Sequence, residues 1–206
     1  MIETDIPSPI DLRQMSDARQ WADEAMEKRP WRTEFFAAFA DTLREGDAHR
    51  VLELGSGPGF LAKHLLNALP EIVYTALDFS PAMHQLATDR LGDTARRVTF
   101  VERNFREPAW ATGLGHFDHV VTNQSIHELR HKRRARNLHE QVRGLLEPGG
   151  RYLVCDHFSG DGGMKNEQLY MSVEEQRIAL KDAGFDCVIP VLLKGGLMLY
   201  CASGTS

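Results

Sequence analysis

Apolar, strand-length runs recur along the chain at 50–54, 72–77, 98–101, 117–122 and 151–155, and stretches with helical spacing of apolar positions lie between them. That alternation predicts a parallel sheet wound with helices on both faces. Ser80 and Pro81 open one helix that Gly92 closes, and Ser172 with Glu175 spells a capping box ahead of a helix ending at Gly184. The last two runs, 187–193 and 197–201, are joined only by Lys194, Gly195 and Gly196. A link so short allows no crossover, so these strands run antiparallel, and Pro190, which lacks a ladder donor, places the first of them at an edge. Upstream, Trp21, Ala25 and Met26, then Phe35, Phe36, Phe39 and Leu43, repeat at helical spacing. They predict an N-terminal helical cap over residues 1–46, either packed on the core or lying over a ligand as a lid, ahead of a core at 47–206. The whole is expected to form one globular domain.

The most informative segment is VLELGSGPGF at 51–60, a buried strand that runs into Gly55, Gly57 and Gly59. Without a Cβ, such a turn brings bare backbone against a ligand, and the helix starting near Phe60 adds amides and a positive dipole end. The dinucleotide fingerprint G-x-G-x-x-G requires a glycine at position 60, where this chain has Phe60, and that counts against an NAD(P)-dependent oxidoreductase. Downstream, the strand of TALDFSPAM ends in Asp78, a carboxylate placed to accept the hydroxyls of a ribose.

Glu53 followed by Gly55, Gly57 and Gly59 resembles the first motif of the class I S-adenosylmethionine-dependent methyltransferases, and further matches run to about residue 158. The resemblance implies a Rossmann-like seven-stranded sheet, order 3-2-1-4-5-7-6, with strand 7 antiparallel. It implies S-adenosyl-L-methionine as cofactor. In that scheme the loop of Glu53, Gly55, Ser56, Gly57 and Gly59 wraps the methionine part, Asp78 holds the ribose and Phe79 lies against adenine. Asn104 stands where the family places an Asp for the adenine amino group, Phe105 is an adenine contact, and Asn123 completes the cofactor set. The loop after the fourth strand, FDHVVTNQSIHEL, would face the transferred methyl group; it lacks the Asn/Asp-Pro-Pro pattern of enzymes that methylate planar amino groups. Gln124 and His157 then line the acceptor side, and His127 is the candidate general base, its imidazole suited to proton removal near neutrality.

Composition adds limits. With 206 residues and 42% hydrophobic content the chain supports one substantial core. A net charge of −5 disfavours a general nucleic-acid partner. No run reads as a membrane span or secretory signal, so the expected localisation is cytoplasmic. Cys155, Cys187 and Cys201 lie in strand-like runs and read as reduced core residues. His127 to His131 spell H-E-x-x-H, but the motif begins at a strand end and runs into Lys132, Arg133 and Arg134, so no metal is assigned. Between Arg130 and Arg143 six cations face only Glu140. The run reads as a solvated helix face or as a docking face for an acidic small molecule, a carrier-bound acyl chain or RNA. These readings converge on methyl transfer to O or N of a small or medium-sized acceptor, with an oxidoreductase and a non-catalytic cofactor-binding regulator as alternatives.

Overall fold

The computed structural model describes residues 5–46 and 49–204. The expected boundary between cap and core, at 46/47, and the first four residues lie outside these. Seven strands form one sheet: β1 (Arg50–Leu54), β2 (Val73–Asp78), β3 (Val98–Glu102), β4 (Phe117–Asn123), β5 (Leu146–His157), β6 (Cys187–Lys194) and β7 (Leu197–Ser203). Their order is β3-β2-β1-β4-β5-β7-β6, with β7 antiparallel to both neighbours and the remaining pairs parallel. The reversal of winding beside β1 opens a crevice at the carboxyl ends of β1, β2 and β4, where α/β sheets bind ligands.

Two core layers hold the sheet. On one face, α2 (Arg32–Glu45) and α3 (Phe60–Ala68) bury Phe35, Phe36, Phe39, Leu43, Leu61 and Leu65 against Val51, Tyr74 and Leu153. Each buried phenylalanine or leucine contributes about 1.5–3 kcal/mol of transfer free energy. On the other face, α5 (Ala135–Arg143) and α6 (Val173–Asp182) cover Leu52, Val120 and Tyr152 through Leu138, Val142 and Leu180. α1 (Met15–Lys28) sits apart, laying Ala18 on Ala82 and Met83 of α4 (Pro81–Leu91).

The local signals act as their chemistry requires. The Ser80 hydroxyl accepts from the Met83 amide at 3.1 Å, with Pro81 in the first helical position. The capping box of Ser172 and Glu175 is closed in both directions, at 3.1 and 2.8 Å. At the sheet edge Pro190 lies in β6, and the pairing with β7 shifts register between Pro190 and Leu192.

Three details differ from the pattern-based expectation. No α-helix joins β3 to β4; residues 103–116 cross as turns, with Trp110 buried and Gly113 and Gly115 at positive φ. β5 begins at Leu146 rather than 151, because the Pro-Gly-Gly segment is absorbed as an irregularity between the pairs Phe117–Leu146 and His119–Arg151. Of the three free cysteines only Cys155 is in the core; Cys187, on the edge strand, is exposed, and Cys201 is half-buried. Among the described residues no helix is long and apolar enough to cross a membrane.

Candidate functional site

The sheet's carboxyl edge opens into a cleft lined by residues at the tips of β1, β2 and β4. Its floor is the turn after β1. Gly55 has φ +66°, and its Cβ position lies 2.4 Å from the Ser125 Cβ, so only glycine fits where the β1 and β4 tips meet. The Ser125 hydroxyl bonds the Leu54 carbonyl at 2.9 Å and locks the two tips together. Gly59, also at positive φ, would place a Cβ 3.0 Å from that of Ala87. It serves helix packing and does not line the cleft.

Two buried carboxylates lie beneath this turn. Asp78, at the tip of β2, accepts from the Gly57 amide at 2.8 Å and from the Ser80 amide at 3.0 Å. Burial lifts its pKa to about 6 against those bonds. Glu53 accepts from the Tyr74 hydroxyl at 2.7 Å. Burial pushes its pKa to about 8, with the charge of Asp78 adding to the rise and the Tyr74 bond opposing it.

The opposite side of the cleft carries a histidine–aspartate pair. His127 Nδ1 lies 2.7 Å from Asp156 Oδ1, and the His127 amide donates to Asp156 Oδ2 at 2.8 Å. Asp156 also accepts from the His157 amide at 2.7 Å. Burial acts to lower the His127 pKa, but the Asp156 charge overrides it and raises the pKa above the ordinary histidine value. In the same pair burial would raise Asp156, and the histidine holds it below the usual carboxylate range. Glu128 faces the other ring nitrogen of His127 at 3.5 Å. His157 and Tyr170 enclose the imidazole, with ring centroids 5.5 Å from it. Burial drops the His157 pKa to about 4, so this ring is neutral near pH 7.

Eleven of the sequence-predicted site residues line the cleft: Glu53, Gly55, Ser56, Gly57, Asp78, Phe79, Phe105, Asn123, Gln124, His127 and His157. Asn104 does not; its side chain caps the Arg106 amide at 3.0 Å and borders a neighbouring hollow with Phe79 and Phe105. One face of Phe79 is covered by the Arg13 guanidinium, 4.8 Å from the ring centroid. Phe60, at the position where the dinucleotide motif requires glycine, lies under the Arg90 guanidinium at 3.7 Å.

The H-E-x-x-H stretch is not one helical face. Residues Ile126–Leu129 form a 3-10 turn, Arg130 is left-handed at φ 64°, and the Arg133 amide donates to His131 Nδ1. The basic run is also not opposed by Glu140 alone. Arg134 pairs with Asp5 at 2.9 Å, Lys132 with Glu175 at 2.5 Å and Arg136 with Glu140 at 2.8 Å, while Arg130 bonds the carbonyls of Ile6 and Pro7. These contacts draw the N-terminal segment across the basic face.

Sequence reading does not single out Arg29, Arg32, Glu128 or Tyr170 as site residues. Glu128 follows His127 in the same turn, Tyr170 reaches the corner by ring contact, Arg29 lines the cleft, and Arg32 enters because its guanidinium donates to Gln124 Oε1 at 2.8 Å.

Polar atoms left without partners mark the cleft as built for a ligand: Ser56 Oγ, Asn123 Oδ1 and Gln124 Nε2 are buried and unbonded. The Gly57 Cβ direction opens on free space. These groups fit an adenosyl amino acid, with a carboxylate for a ribose at Asp78 and unpaired amide groups toward the β4 tip.

Comparison with known proteins agrees. The chain matches the family model described as a methyltransferase domain over residues 52–152. It is 31% identical over 153 residues to the probable non-canonical nonribosomal peptide synthetase CymA of Salinispora arenicola, covering 72% of this chain and 2% of that protein. It is 27% identical over 164 residues to a malonyl-[acyl-carrier protein] O-methyltransferase of Paenibacillus, covering 76% and 58%. The chain thus spans less than two thirds of the first curated relatives it matches. Among solved structures, DhpI in its complex with SAH superposes with a TM-score of 0.70 at 22% identity, covering 94% of this chain and 96% of that one.

Proposed function

Because this chain belongs to the class I S-adenosylmethionine-dependent methyltransferases, we propose that it methylates an oxygen or nitrogen of a small or medium-sized acceptor, with His127 as general base and Asp156 as the residue that positions it. When bound, S-adenosylmethionine supplies the electrophilic methyl group, transferred by in-line displacement. Glu53, Gly55, Ser56, Gly57, Asp78, Phe79, Phe105 and Asn123 are the residues that would hold it. Residues 1–46 act in this reading as a cover, through Leu12 and Trp21 at the cleft.

The observation that carries the reading is the 2.7 Å contact between His127 Nδ1 and Asp156. A carboxylate there favours the tautomer with the proton on Nδ1 and leaves Nε2, which Glu128 faces at 3.5 Å, as the atom to take a proton from the acceptor. The enclosed corner formed with His157 and Tyr170 excludes water from that proton path. A neutral imidazole is required, so turnover rises with pH through the elevated His127 pKa. The test is transfer of labelled methyl from S-adenosylmethionine to an acceptor panel, followed by pH profiles. Asp156→Asn is expected to move the rising limb to lower pH and to cut kcat by about 10²–10⁴, the usual range for general-base catalysis. An unshifted limb with unchanged kcat would remove His127 and Asp156 from the chemistry.

A further inference from the structure

Arg32 is almost completely buried, at 2% exposure, and donates one bond to Gln124 Oε1 at 2.8 Å. Its guanidinium lies over Trp21 at 5.3 Å, and its Nε has no partner. No carboxylate pairs with it among the described residues. Burying an unpaired guanidinium is costly, and burial, with Arg29 adding to it, brings the Arg32 pKa down to about 10. Arg29 lies half-buried on the same wall, where burial lowers its pKa against the opposing influence of Tyr170 and Asp156. Asp156 pairs directly with neither guanidinium; its oxygens bond the His127 ring and the amides of His127 and His157. The cleft therefore holds two guanidinium groups and a buried donor, Gln124 Nε2, that lack an anion.

We propose that this corner is the acceptor's anchoring site and that the molecule methylated carries a carboxylate, gripped by Arg29 and Arg32 with its nucleophilic atom toward His127. The assignment rests on the methyltransferase reading above. A planar guanidinium fork matches a carboxylate, and the sulfonium that shares the cleft adds a further positive charge for that anion to offset. The neighbours of the two arginines are Gln124, His157, Asp156 and Tyr170, the groups around the base. An acceptor carboxylate is favoured over the cofactor's own for that reason.

The experiment uses the full chain saturated with S-adenosylhomocysteine and titrated with benzoate or its uncharged counterpart benzamide, binding being read by ligand-observed NMR. Benzoate is expected to bind the wild-type protein at least tenfold more tightly than benzamide. Arg29→Gln, which removes a half-exposed charge without disturbing the core, and Arg32→Met are each expected to erase that difference. Equal binding of the two probes, or a preference that survives both substitutions, overturns the proposal. In parallel, each variant is titrated with S-adenosylhomocysteine and with 5′-methylthioadenosine, which lacks the amino-acid carboxylate. A tenfold loss confined to S-adenosylhomocysteine assigns the corner to the cofactor and also overturns the proposal. Failure of the wild-type protein to bind either nucleoside would instead defeat the methyltransferase reading, so the two failures are separable.

Discussion

Lowering the pH from 7 to 5 is expected to weaken S-adenosylhomocysteine binding about tenfold, through a single side chain. Asp78, at the β2 tip, is the carboxylate proposed to accept the ribose, and burial lifts its pKa to about 6. At that value it is about nine-tenths ionised at pH 7 and about one-tenth ionised at pH 5. A protonated carboxyl still accepts the Gly57 and Ser80 amides but offers less to two ribose hydroxyls. If only the ionised form binds, affinity falls in proportion to its population, about 1.4 kcal/mol over the interval. Calorimetric titration at half-unit steps between pH 5 and 7.5 measures this directly and needs no acceptor. Asp78→Asn keeps the shape and one acceptor while removing the titration. It is expected to bind weakly at pH 7 and to show no slope with pH. A flat profile in the native protein, or the same slope in Asp78→Asn, would refute the assignment of the ribose carboxylate.

Glu53 makes a stability prediction in a different pH window. Its folded pKa of about 8 lies above the unfolded value of 4.5, so the native state holds the extra proton. The stabilisation is therefore fully present below pH 4.5 and is lost as pH rises toward 8, amounting to about 5 kcal/mol across the window. Chemical denaturation of Glu53→Gln between pH 5 and 9 is expected to show this decline flattened; an unchanged decline contradicts it. Gly55→Ala combines a φ of +66° with a Cβ 2.4 Å from that of Ser125. It is expected to cost at least about 1–3 kcal/mol, read as a fall in Tm of several degrees, and an unaltered Tm would show that the β1–β4 junction yields.

Local chemistry explains what the sequence disclosed. Strand runs, Ser80-Pro81, the Ser172–Glu175 box and the Gly195-Gly196 hairpin are each read within a few residues, and they give the wound sheet, the terminal hairpin and its edge, whereas the strand order comes from the family resemblance. The turn at Gly55 and the acid at Asp78 carry their meaning in the same way. The connection at 103–116 was hidden because its turns are held by distant partners, the Trp110 indole donating to Gln141 at 2.8 Å. The pairing that orients His127 is hidden for the same reason: His127 and Asp156 stand 29 positions apart. Arg29 and Arg32 face the cleft only because α2 packs on the sheet. Asn104 shows the converse, since a position matched by motif also caps its own loop through the Arg106 amide.

The outer border of the sheet has a consequence for how the molecule behaves in company. Ile189 and Leu193 stand more than half exposed on β6, an arrangement that ordinarily invites a foreign chain to dock by its backbone. Pro190 interrupts the row of amides there, and the shift beside it spoils the spacing that a straight newcomer would need. Greasy side chains are thus tolerated in water because the main chain behind them is a defective template, and restoring an ordinary residue at that point would trade solubility for stickiness.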